Sequence, residues 1–157
     1  MSKANLPGKH PLGLAVELLG GRQTFDRPVA SELEAHRAIS RGLPAKALGF
    51  LVENVGVMEN KGVLEKAVGI SLRTYQRRKK DGAKARLSKE QGGRAFKFAE
   101  IVGLATKALG SQKEAEEWLS RPAIGLDQER PIDLLDTPAG TELVESYLGR
   151  MIYSVYT

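Results

Sequence analysis

The chain has 157 residues, a hydrophobic content of 41%, a net charge of +5 and no cysteine. That length buries roughly 68–70% of the unfolded surface, enough for one domain or two small ones packed together. Disulfide scaffolds and thiolate metal sites are excluded, no apolar run nears the ~18 residues of a membrane span, and with no signal-peptide core the expected compartment is the cytoplasm.

Residues 1–11, with Pro7, Gly8 and Pro11, read as an arm. Leu12, Leu14, Val16, Leu18 and Leu19 form an apolar segment whose period fits helix or strand, closed by Gly20-Gly21. Pro28 suits a first helical turn and predicts a helix over 29–41 stopped by Gly42. Pro44 opens the next, in which Leu48, Leu51, Val52 and Val55 keep the i, i+3, i+4, i+7 spacing up to Gly56.

Residues 62–68 predict a short helix ending at Gly69, and Ser71 is placed to cap a second one. The stretch from Gly69 to Lys80 carries a dense row of cations and no acidic residue. At ~100° per residue, Leu72, Tyr75 and Lys79 share one side and Arg73, Thr74, Arg77 and Lys80 another. Leu64, Val68, Ile70 and Leu72 flank the turn as candidate core. Helix, glycine turn and helix is the arrangement in which the second helix enters a DNA major groove. Arg73, Thr74, Gln76 and Arg77 are candidate base readers, since a guanidinium can donate two hydrogen bonds to guanine. Arg78, Lys80, Lys84 and Arg86 are candidate phosphate contacts. Glu65 stands where such motifs favour a small residue, which argues against a tight crossing of the two helices. One such helix contacts few base pairs, so a dimer on a two-fold operator is expected.

Asp81-Gly82 ends this helix, and a basic connector leads to Ser88, which with Gln91 predicts a capping box and a helix to Leu109. Gly103 inside that helix costs about 1 kcal/mol against alanine and points to a close helix crossing. After Gly110, Ser111 and Glu114 predict a second capping box and a helix through Leu119. Pro131 starts a helical turn through Leu135. Thr137-Pro138 opens the last helix, where Leu143, Val144, Tyr147, Leu148, Met151 and Ile152 form a wide apolar stripe. That end either docks on a partner or folds onto its own core. The predicted fold is all-α, divided into 1–41 (arm and helices), 42–109 (helix-turn-helix and dimerisation) and 110–157.

Charge divides along the same line. Residues 1–110 hold 20 Lys and Arg against 10 Asp and Glu, and residues 111–157 hold four against nine. A basic body and an acidic segment suit two different partners. Catalysis has no visible basis. The only histidines are His10 and His36, no spaced His/Asp/Glu cluster offers a metal site, and Gly92-Gly93-Arg94 matches no phosphate-binding fingerprint. No enzyme activity, cofactor or membrane partner is therefore expected.

From about Gly42 onward the chain resembles the Xre-type antitoxins of RES–Xre toxin–antitoxin pairs, the Xre/MbcA/ParS family. The resemblance rests on Gly69 to Arg78 and on Trp118-Leu119-Ser120-Arg121-Pro122. It continues through Pro131-Ile132-Asp133-Leu134-Leu135-Asp136-Thr137 with Gly140, and through Leu148-Gly149-Arg150-Met151. The helix-turn-helix portion is generic; the Trp-Leu-x-x-Pro and Pro-x-x-Leu-Leu-x-Thr pieces in that order are specific. The resemblance implies a homodimer that binds operator DNA and represses its own operon. It further implies a C-terminal domain that inhibits an NAD-consuming RES-domain toxin by occluding the active site. Carried onto this chain, Trp118, Arg150, Tyr153, Tyr156 and Thr157 become candidate toxin contacts, with an aromatic, carboxylate-bearing end suited to a cationic nucleotide pocket. The alternatives are a DNA-binding regulator whose C-terminal domain dimerises or senses a ligand, and a pure inhibitor whose helix-turn-helix is structural only.

Overall fold

A computed structural model describes residues 11–60 and 62–155. The described residues form eight α-helices and five short 3-10 turns, with no strand beyond two isolated bridges. The all-α expectation holds. The helices are α1 (Pro11–Leu18), α2 (Glu32–Arg41), α3 (Lys46–Asn54), α4 (Val63–Val68), α5 (Leu72–Lys80), α6 (Lys89–Leu109), α7 (Gln112–Leu119) and α8 (Pro138–Val155).

The long α6 is the axis of the molecule. Its start is fixed by the capping box: Ser88 Oγ accepts from Gln91 N, and the Gln91 side chain accepts from Ser88 N, both at 3.1 Å. Gly110, at φ +99°, ends it in the left-handed region that favours glycine. Ala95, Phe96, Phe98, Ala99, Ile101, Val102 and Ala105 are all buried, more than one stripe's worth, because α1, α2, α4, α7 and α8 pack around it. Gly103 is where α1 crosses. A Cβ there would lie 3.1 Å from Leu14 Cβ and from Pro11 O, so the close crossing read from that glycine is present.

The ambiguous segment before Gly20 is helix α1, burying Leu12 and Ala15. The helix expected to start behind Pro28 starts later. Ser31 caps α2 by accepting from Glu34 N at 3.2 Å, and Glu34 Oε1 accepts from Ala30 N and Ser31 Oγ. This Ser-x-x-Glu box outweighs the proline. At α7 Ser111 Oγ accepts from Glu114 N, so the forward half of the expected box is present.

One continuous core runs from Leu12 to Leu148 and joins both halves of the chain. Lys66 of α4 donates to Asp133 Oδ1 at 2.6 Å, and Arg130 grips both oxygens of the same carboxylate at 2.8 and 2.9 Å. Glu116 of α7 accepts from Val57 N at 2.8 Å, tying α7 to the turn after α3. Of the last helix's apolar stripe, Val144 and Leu148 are fully buried, whereas Leu143 is 56% exposed. Through Leu148, then, α8 folds onto the protein's own core, while Tyr153 is 75% exposed.

Candidate functional site

The helix-turn-helix forms where expected. Gly69, at φ +82°, makes the turn, and its N–H donates to Glu65 O at 2.8 Å. Arg94 of α6 lies beneath it and donates to Lys66 O at 2.6 Å, satisfying a carbonyl at the end of α4. Leu64, Val68 and Ile70 are buried around the turn. Glu65 is exposed and points away from the crossing, so it does not obstruct it.

Leu72 departs from expectation: it is 61% exposed, and no residue of α5 is fully buried. The helix leans on α3 through Tyr75, whose hydroxyl is 3.7 Å from where a Cβ on Gly49 would sit. Burial, with help from the Glu53 carboxylate, pushes the Tyr75 hydroxyl pKa up. The rest of α5 stands proud of the core. Arg73, Gln76, Arg77 and Lys80 are exposed at i, i+3, i+4 and i+7, one continuous cationic face. Thr74 is half-buried, and its Oγ accepts from Ser71 Oγ at 3.0 Å, so its hydroxyl serves the cap. Arg78 and Arg86 also have internal roles. Arg78 Nη1 donates to Gln91 Oε1 at 2.8 Å, and Arg86 Nη1 to Gly42 O at 2.9 Å. Lys84 is exposed on the connector.

The C-terminal face is built on an aromatic stack. Trp118 and Tyr147 are nearly parallel (13°) with ring centroids 5.7 Å apart, and the Arg150 guanidinium sits 5.9 Å from the Tyr147 centroid. Trp118 is only 7% exposed. It is the buried platform under Tyr147, which leaves little of it for a partner to touch. Arg150 is exposed and Tyr153 is 75% exposed. Tyr156 and Thr157 lie outside the described residues.

Two exposed apolar residues lie beside this stack: Leu143, part of the apolar stripe read from the sequence, and Ile124, which no pattern singled out. Leu143 is one α8 turn before Tyr147, on the same side by spacing. Ile124, 85% exposed, tips a loop closed by Ala123 N donating to Glu129 O at 3.0 Å. Asp127 and Gln128 both have positive φ there, and Gly125 lies so close on the Tyr147 ring that any Cβ would overlap it. The only sequence signal was that glycine.

Between the two faces sits a charged cluster. Lys97 pairs with Glu145 at 2.9 Å and with Glu100 at 3.4 Å. Burial works to lower the Lys97 pKa, but the two carboxylates outweigh it and the net shift is upward. Burial pushes Glu100 up to about 7; Lys97 opposes this and Glu32 adds to it. Hydrogen bonds from Arg130, followed by Lys66, hold Asp133 down to about 2 against a burial effect of opposite sign. Among the described residues no three His, Asp or Glu side chains converge as a metal site, His36 is exposed on α2, and no helix is long and apolar enough to cross a membrane.

Comparison with known proteins matches both halves of the chain. The model of the antitoxin Xre-like helix-turn-helix domain matches residues 34–100, which contain α4 and α5. That of the antitoxin Xre/MbcA/ParS C-terminal toxin-binding domain matches residues 104–153, which contain Trp118, Tyr147 and Arg150. Helix α6 runs through the junction between the two matches. An Xre antitoxin of Pseudomonas putida is 32% identical over 124 residues, 76% of this chain and 72% of that protein. One of Yersinia enterocolitica is 31% identical over 132 residues, 74% of this chain and 87% of that protein. One of Photorhabdus laumondii is 25% identical over 134 residues, 85% and 88% of the two chains. With both domains matched in order on one continuous core, the chain belongs to the Xre antitoxins, joining a helix-turn-helix domain to a toxin-binding domain.

Proposed function

We propose that this protein neutralises a RES-domain toxin, an NAD-consuming enzyme, and as a homodimer represses the operon that encodes both. The observation that carries the reading is the match of the C-terminal domain to a toxin-binding domain, set behind a helix-turn-helix domain. The exposed row Arg73, Gln76, Arg77 and Lys80 supports the DNA arm, with the two arginines as base readers. Lys80 and Lys84 supply phosphate contacts, and Arg78 and Arg86 add to them with the donors their internal bonds leave free. The toxin arm uses the end of α8. Arg150 and Tyr153 lead Tyr156 and Thr157 into the toxin's active-site cleft, with the Trp118–Tyr147 stack holding Arg150 in place.

Co-expression tests both arms. The full chain is expected to restore growth to cells expressing the RES-domain toxin from the adjacent gene, and a chain lacking residues 150–157 to fail. Rescue by the truncated chain would refute occlusion by this segment. An Arg73→Ala/Arg77→Ala variant is expected to rescue growth while losing the upstream DNA in a gel shift. Equal binding by that variant would remove the α5 face from DNA recognition.

A further inference from the structure

A cavity of about 300 Å³ opens between α2, the segment preceding it, Gly42 to Pro44 and the connector after α5. Four arginines line it: Arg27, Arg37, Arg41 and Arg86. Every cation in the lining is an arginine, the side chain whose planar fork matches phosphate oxygens two at a time. The side chains of Arg27, Arg37 and Arg41 make no ion pair or hydrogen bond among the described residues. Two carboxylates share the wall, Asp26 and Glu34, the latter also accepting through Oε1 from Ala30 N and Ser31 Oγ at the start of α2. Four guanidinium groups therefore line the wall with two carboxylates, an excess of two positive charges. Like charges converging on a concave space repel one another, and an anion entering it relieves that repulsion.

The cavity is fastened to the recognition helix. Arg86 lies on the connector, which pairs with the chain before α3 through Ala45 N to Ala85 O at 2.9 Å and Leu87 N to Leu43 O at 2.8 Å. Arg78 of α5 reaches Arg86 O at 3.5 Å, and Arg86 reaches on to Gly42 O at the cavity wall. One basic surface therefore continues from α5 across the connector to α2.

We infer that the cavity is a phosphate site outside the helix-turn-helix, taking a DNA backbone phosphate next to the groove that α5 reads. The inference rests on the DNA-binding reading above and gives the segment before residue 42 a function in it. A phosphate contact supplies affinity without base information, so its loss weakens operator and unrelated DNA alike.

The test uses the full chain carrying Arg37→Ala/Arg41→Ala, with Arg27→Ala as a second variant, beside wild type and Arg73→Ala. Fluorescence anisotropy is read at several salt concentrations on the upstream duplex and on an unrelated duplex of equal length. Each cavity variant is expected to bind both duplexes about five-fold more weakly at 0.15 M salt, with a salt slope lower by about 0.9. Arg73→Ala is expected instead to narrow the difference between the duplexes. Wild-type affinity and slope in both cavity variants, with Arg73→Ala still losing preference, would overturn the cavity site and leave the helix-turn-helix reading standing. Absence of DNA binding by wild type would overturn both. A parallel thermal-unfolding series with inorganic phosphate separates the sources. Phosphate stabilisation lost in the cavity variants, with DNA binding unchanged, would overturn the DNA assignment in favour of a small phosphate ligand.

Discussion

Replacing Glu100 with glutamine is expected to remove a specific pH dependence from the protein's stability. The carboxylate lies on α6 against the first turn of α2, where burial pushes its pKa from 4.5 to about 7, Lys97 works against that rise and Glu32 adds to it. The folded state therefore holds this proton more tightly than the unfolded chain does. The resulting stability is fully present below pH ~4.5 and is lost as pH rises through about 7. A rise from 4.5 to about 7 is worth about 3.4 kcal/mol at full weight. Water reaches the carboxyl group, and screening reduces this to about 1–2 kcal/mol. Glutamine has no proton to lose, and Lys97 keeps Glu145 at 2.9 Å. Urea unfolding at pH 4.5, 7 and 8.5 should find wild type and variant alike at the lowest pH. At pH 8.5 the variant should be more stable by about 1–2 kcal/mol, or a few degrees in Tm. A difference that stays constant across the three pH values would refute the reasoning.

Four further outcomes are expected. Gly140→Ala should lose about 1–3 kcal/mol in thermal unfolding, because its Cβ would overlap the Leu134 carbonyl, backbone that cannot swing aside. Trp118→Ala should lose about 3–5 kcal/mol and Trp118→Phe less, since the ring is a buried platform. Asp133, held down to about 2, stabilises above its ordinary pKa of 3.8 and loses that contribution as pH falls through about 2. Asp133→Asn should therefore flatten the acid limb of the stability profile at a cost of under ~1 kcal/mol at neutral pH. Lys84→Ala should weaken all DNA binding evenly and lower the salt slope by about 1, whereas Arg77→Ala should relax sequence preference, as quantitative gel shifts can separate.

Local chemistry was legible in the sequence. Gly69, Ser71, the Ser88–Gln91 pair and Thr137 each act within a turn of themselves and do in the structure what their residue types dictate, and Gly103 marks a close crossing with α1. Tertiary placement was not legible. Leu72 is apolar and beside a buried turn, yet α5 meets the core only through Tyr75, so Leu72 is left in solvent. Pro28 resembled a helix start, but Ser31 Oγ accepts from Glu34 N and Glu34 Oε1 accepts from Ala30 N, and these contacts set α2 later. Arg78 and Arg86 read as phosphate contacts alone, because their internal acceptors, Gln91 and the Gly42 carbonyl, lie 13 and 44 residues away in the chain. Trp118 read as a contact residue through the family pattern, and the structure gives it a supporting position beneath Tyr147. The cavity between α2 and the connector was invisible for the same reason: its arginines are scattered from Arg27 to Arg86 and meet only in the fold.

NAD consumption in vitro reads out directly whether this chain inhibits a RES-domain enzyme. Purified toxin from the adjacent gene is mixed with increasing amounts of the full chain, and remaining NAD is followed over time. Consumption is expected to fall to background as the chain reaches stoichiometric amounts. Undiminished consumption in the presence of excess, folded chain would contradict that inhibition.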